Sequence, residues 1–146
     1  IFDEALGIAA TDNENFGHFF VPENVYVIGT MNDIDRSVEG MDFAMRRRFA
    51  FVEVSADDRE EMLDVLGECK EEALRRMENL NDAIEEVGGL SSAYHIGPAY
   101  FLKLNNYNGD FVKLWNYHIE GVVSEYLRGM DDAEQKLEIL RNAYNM

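Results

Sequence analysis

The chain has 146 residues, with 13 Lys+Arg against 29 Asp+Glu and a formal net charge of −16. Its 47% hydrophobic and 12% aromatic content can fill a core, which excludes wholesale disorder, and its length suits one domain or one domain with a small satellite. The acidity argues against a surface that grips phosphate backbones directly, the single Cys69 excludes an internal disulfide and fits a reducing, cytoplasmic compartment, and no apolar run nears the ~20 residues that span a bilayer.

Residues 1–20 show no firm period and read as mostly loop. Pro22 cannot donate to a ladder, so it belongs before a strand; Asn24 to Thr30 is then a short, β-branched apolar run that suits a central strand covered on both faces. Ser37 can cap a short helix whose Val38, Met41 and Met45 fall at helical spacing, and Phe49 to Val54 reads as a second strand. Strand, turn, short helix and strand make a βαβ unit, hence a parallel sheet.

After Val54 the pattern becomes helical. Ser55 and Asp58 have the spacing of a capping box. Met62, Leu66, Cys69, Ala73, Met77, Leu80, Ile84 and Val87 form an amphipathic stripe that Gly67 divides or kinks and Gly88-Gly89 ends. Asp110 can cap a helix carrying Leu114, Trp115, Ile119, Val122, Val123, Tyr126 and Leu127; Gly129 closes it, and Asp131 or Asp132 opens a last helix with Leu137, Leu140 and Tyr144. Residues 53–86 carry thirteen acids against four bases, a solvated face opposite the stripe. Two strands are too few for a stable parallel sheet. The expected fold class is therefore α/β: residues 1–55 as the C-terminal part of a parallel-sheet core, with two strands and a short helix, followed by an all-α region over 56–146. Because the chain starts at Ile1, the earlier strands are expected upstream.

The chemistry-bearing segment is Gly29 to Phe49. Ligands of open α/β sheets bind beyond the carboxyl ends of the strands. Asn32 stands there with an amide that can hold a water against a phosphate, and Asp33, Asp35 and Arg36 share its turn. A polar strand-to-helix turn capped by Asp35 or Ser37 explains the same residues. Four of the thirteen bases fall between Arg36 and Arg48, three of them consecutive. Arg46, Arg47 and Arg48 suit the C-terminal end of a helix dipole, and equally suit guanidinium groups aimed at a neighbouring molecule's phosphates.

The run Met31-Asn32-Asp33-Ile34-Asp35-Arg36-Ser37, set between an apolar strand and a short helix ending in Arg46-Arg47-Arg48-Phe49, resembles the second half of a AAA+ module, more narrowly that of the McrB-type GTPase subunits of modification-dependent restriction systems. A second, weaker block, His95-Ile96-Gly97-Pro98-Ala99-Tyr100-Phe101, is similar to the stretch that leads into that family's helical lid, with Pro98 where the family usually has His. The Leu114-Trp115 helix is also family-like. The resemblance implies that Asn32 is the sensor-1 residue orienting the attacking water, that Asp35 and Arg36 belong to the signature turn beside the nucleotide, and that Arg47 or Arg48 is the arginine finger acting in trans. Arg46 is expected to be a dipole partner. Ile96 and Gly97 would lie near the nucleotide at the start of the lid. It further implies Mg²⁺ with GTP or ATP in the full-length protein, a homo-oligomeric ring (commonly a hexamer), a nuclease subunit as partner, and DNA recognition through another domain.

No Gly-x-x-x-x-Gly-Lys-Ser/Thr occurs, and Ile1-Phe2-Asp3-Glu4 is too short to count as a Mg²⁺-holding strand. Both elements are expected upstream of Ile1, so this chain alone is expected neither to bind nucleotide tightly nor to hydrolyse it. His18, His95 and His118 have no metal-ligand spacing with one another or with Cys69. Tyr94, Tyr100, Phe101 and Tyr107 lack the basic groove that base stacking would need. The leading expectation is a McrB-like NTPase fragment serving DNA restriction. The alternatives are a related AAA+ ATPase that remodels protein and an acidic helical interaction module over 56–146.

Overall fold

The computed structural model of the chain describes residues 22–31 and 43–146. The chain divides into two units, residues 1–32 and 33–146. In the first, the Val25 amide donates to the Pro22 carbonyl at 3.1 Å and closes a turn, after which residues 25–31 run without regular structure. The strand expected over Asn24–Thr30 is not formed; Tyr26 and Ile28 are almost fully exposed.

In the second unit, α1 (Phe43–Arg46) falls within the short helix expected after Ser37; residues 37–42 lie outside the described residues. Residues 47–49 turn away from it, and Arg46 places its guanidinium over the Phe51 ring, 5.6 Å from the centroid. The second expected strand, Phe49–Val54, is likewise absent, with Val52 84% exposed. No strand occurs among the described residues, so they do not show the sheet half of the expected α/β class, and the helical half stands. The physical reason is pairing: β-branched residues favour a pleated surface, but a strand's N–H and C=O groups need a neighbouring strand, and no described segment supplies one.

The helical region begins where the sequence places it. The Ser55 amide donates to Asp58 Oδ2 at 2.7 Å. The following stretch, Asp57–Cys69, is 3₁₀ rather than α, broken at Arg59 (φ −135°, ψ 28°) and Gly67 (φ 56°, ψ −119°). This corrects the stripe. At three residues per turn, positions i and i+3 eclipse, so Leu63 and Leu66 go inside together while Met62 is 37% exposed. Gly67 occupies the left-handed region that only glycine enters freely, which is the kink anticipated there.

The long helix α2 (Lys70–Glu86) then buries Ala73, Met77, Leu80 and Ile84, and Gly88 and Gly89, both at positive φ, end it. A 3₁₀ turn, Ser92–Tyr94, precedes α3 (Pro98–Phe101) and a further 3₁₀ stretch, Leu102–Tyr107. The next helix is continuous but changes pitch: α4 (Phe111–Leu114), a π turn (Trp115–Ile119) and α5 (Glu120–Tyr126). Asp110 caps it, accepting from the Lys113 amide at 3.0 Å. Last comes α6 (Ala133–Asn145), which packs along α2.

The core lies between these helices. Trp115 and Tyr144 are buried with ring centroids 5.0 Å apart, and Phe101 meets Tyr144 at 6.3 Å. Arg76 ties three helices together. Its Nη1 donates to the Tyr144 carbonyl at 2.9 Å, its Nε to Glu72 Oε1 at 2.6 Å, and its plane lies over Phe111 at 4.7 Å and Tyr144 at 5.1 Å. The Tyr144 hydroxyl donates to the Phe111 carbonyl at 2.9 Å, and burial raises its pKa well above that of a free tyrosine.

Candidate functional site

Among the described residues, Asn81 is the polar side chain that the fold buries, at 4% exposure. It stands four residues after Met77 and three before Ile84, on the stripe of α2 where an apolar residue would serve packing alone. Its carboxamide is spent on one backbone unit. The Ile96 amide donates to Asn81 Oδ1 at 2.8 Å, and Asn81 Nδ2 donates to the Ile96 carbonyl at 3.2 Å. One turn further along α2, Glu85 Oε1 lies 3.0 Å from His95 Nε2. That ring nitrogen is buried and makes no hydrogen bond, so the contact is one of close approach alone.

The second half of α2 thus grips the turn His95–Gly97 from two points. Ile96 fills the core completely. Gly97 is half-buried, extended (φ −83°, ψ 168°), and precedes α3, whose Pro98 takes the first helical position. The Tyr100 amide donates to the Gly97 carbonyl at 3.1 Å. A Cβ added at Gly97 would meet nothing within 4 Å. The arrangement is a rigidly held backbone edge beside open space, suited to close approach by a ligand rather than to proton transfer.

The remaining residues singled out in the sequence divide in two. Asn32, Asp35 and Arg36 lie outside the described residues. Arg47 and Arg48 sit in the exposed turn after α1, while Arg46 packs over Phe51. Sequence reasoning missed Asn81, although its stripe spacing was a visible signal: a carboxamide at a core position needs partners. It also passed over the pair formed by the Tyr107 hydroxyl and His118 Nε2 at 2.8 Å, a surface tie between the 3₁₀ stretch and the π turn. Among the described residues no group of three or more His, Cys, Asp or Glu could hold a metal ion, and no helix is long and apolar enough to cross a membrane.

Residues 72–135 match the family model of the McrB alpha-helical lid domain. This span contains most of α2, the Asn81–Ile96 clamp and the whole Trp115 helix. Over those residues the chain resembles a McrB-type lid. Over 91 aligned residues the chain is 38% identical to the Type IV methyl-directed restriction enzyme EcoKMcrB subunit of Escherichia coli (strain K12), a stretch that is 57% of this chain and 20% of that protein. The chain therefore spans about a fifth of the length of the curated relative it matches. No solved structure matches it.

Proposed function

We propose that the chain is the C-terminal portion of a McrB-like AAA+ nucleoside triphosphatase, in which residues 1–55 complete the α/β core and residues 56–146 form the lid. The observation that carries this reading is the McrB lid match at 72–135, standing directly after the Met31–Ser37 and Arg46–Phe49 motifs. In the full-length protein GTP or ATP binds with Mg²⁺, which neutralises phosphate charge. The Asn32 amide holds the attacking water, Asp35 and Arg36 shape the turn beside it, and Ile96 and Gly97 bring the lid to the nucleotide. Arg47 or Arg48 pairs with phosphate oxygens bound by the neighbouring subunit of a ring, commonly a hexamer. The exposure of both side chains supports that role, because a group acting on another molecule has to reach it. The relative's name as a methyl-directed restriction enzyme subunit supports a role in DNA restriction, with a nuclease partner and a DNA-reading domain elsewhere, in the cytoplasm.

The test is steady-state hydrolysis of GTP and ATP by the full-length protein with Mg²⁺. Replacing the finger, by Arg47→Ala or Arg48→Ala, is expected to lower kcat by roughly 10³-fold or more. Mixing that variant with Asn32→Ala subunits is expected to restore part of the activity, because a trans finger and a cis sensor then come from different chains. The 146-residue chain alone is expected to show no turnover. Full activity in both arginine variants, or turnover by the isolated chain, overturns the reading.

A further inference from the structure

We infer that Asn81 is a positioning residue for nucleotide binding: its carboxamide fixes the backbone at Ile96 so that Gly97 presents an unobstructed edge to the ligand. The inference rests on the function proposed above and assigns it a residue that neither the motifs nor the comparisons single out. Packing does not ask for asparagine at this position. Its neighbours on the stripe, Met77 and Ile84, are fully buried and apolar, and asparagine is a poorer helix former than leucine or methionine that carries a polar group into the core. What asparagine does here, and leucine cannot, is satisfy the backbone donor and the backbone acceptor of a single residue, Ile96, at 2.8 Å and 3.2 Å.

The orientation so fixed is that of the next residue. Gly97 has a negative φ open to any side chain, and a Cβ would have no neighbour within 4 Å, so neither backbone strain nor crowding calls for glycine. The free volume beside it faces outward from a turn that α2 holds at Ile96 through Asn81 and at His95 through Glu85. A backbone edge without a side chain, locked from behind, is what a ligand needs in order to approach closely.

The experiment measures KM and kcat for GTP and ATP, with Mg²⁺, in the full-length protein and three variants. Asn81→Asp keeps the acceptor for the Ile96 amide but sets a carboxylate oxygen against the Ile96 carbonyl. It is expected to raise KM about tenfold with kcat nearly unchanged. Gly97→Val, which the open volume lets fold, is expected to raise KM with no loss of melting temperature. Met77→Ala serves as the stability control: it is expected to lower the melting temperature while KM holds. An active wild type in which Asn81→Asp and Gly97→Val leave KM where Met77→Ala leaves it overturns the inference alone. A wild type that hydrolyses neither nucleotide overturns the proposed function and the inference together.

Discussion

The helix α2 and the segment Phe49–Val54 are both rich in apolar residues, yet the first buries its stripe completely and the second leaves Phe51, Val52 and Val54 in solvent. The difference lies in where backbone hydrogen bonds come from. A helix satisfies its own amides and needs only a neighbour for one face, which α6 and the Asp57–Cys69 stretch supply to α2. A strand leaves its amides unpaired until a neighbouring strand lies along at least one edge. Hydrophobicity therefore fixed which residues could be buried, and hydrogen-bond topology decided which were.

The sharpest way to break this comparison is to truncate one large side chain from each region and measure urea unfolding of the 146-residue chain. Trp115→Ala is expected to cost about 3–5 kcal/mol, because the indole is 2% exposed and stacks against Tyr144. Val52→Ala is expected to fall within about 0.5 kcal/mol of wild type; a large loss there would show that 49–54 is packed in solution and the contrast is wrong. A smaller effect tests local hydrogen bonding in the helical region. Asp110→Ala leaves the Lys113 amide without its cap and is expected to cost about 1 kcal/mol.

The smallest effect sharpens the electrostatic side. Glu72 accepts hydrogen bonds from Arg75 and Arg76, and the bond from Arg75 above all, with the charge of both guanidiniums, holds its carboxyl below the ordinary glutamate value of 4.5. In that window the unfolded chain binds the proton more readily than the folded one. The stabilisation is thus present above pH 4.5 and lost as pH falls through the depressed value. Glu72→Gln is expected to flatten this acid limb of a stability-against-pH profile, modestly, since the pair is partly exposed. An unchanged limb would assign it to other carboxylates.

Much of the lid was legible in the sequence because helices announce themselves locally. The Ser55–Asp58 bond, the cap at Asp110, the glycine stops at 88–89 and the stripe from Ala73 to Ile84 all stand where spacing put them. The register of Asp57–Cys69 was not legible: 3₁₀ and α periods diverge by only a fraction of a residue per turn, enough to exchange Met62 for Leu63 in the core. The expected strands are not formed among the described residues for a different reason, since pairing depends on partners that the local run does not contain. At the candidate site, residue type alone marks Arg47 and Arg48 as cations able to meet phosphate, whereas Gly97 enters only through the family resemblance; both arginines are exposed and a Cβ at Gly97 would meet nothing within 4 Å. Asn81 was hidden because its partner, fifteen residues away, is a backbone group. Its place on the stripe shows that it needs partners, but no local pattern says which distant backbone supplies them.

The π turn at Trp115–Ile119 has a consequence for how this helix can change length. A π turn carries one more residue than an α turn while keeping the same faces on either side of it. Asn116 and Tyr117, both exposed, thus belong to a segment holding a spare residue. Removing Asn116 would return the helix to ordinary pitch and set Trp115 and the present Ile119 three positions apart, still on one stripe, with Val123 and Leu127 undisturbed. The same deletion placed in α5 would swing every later side chain by about 100° around the axis. Length variation in this helix therefore has one cheap location, and it adjoins the largest buried side chain among the described residues.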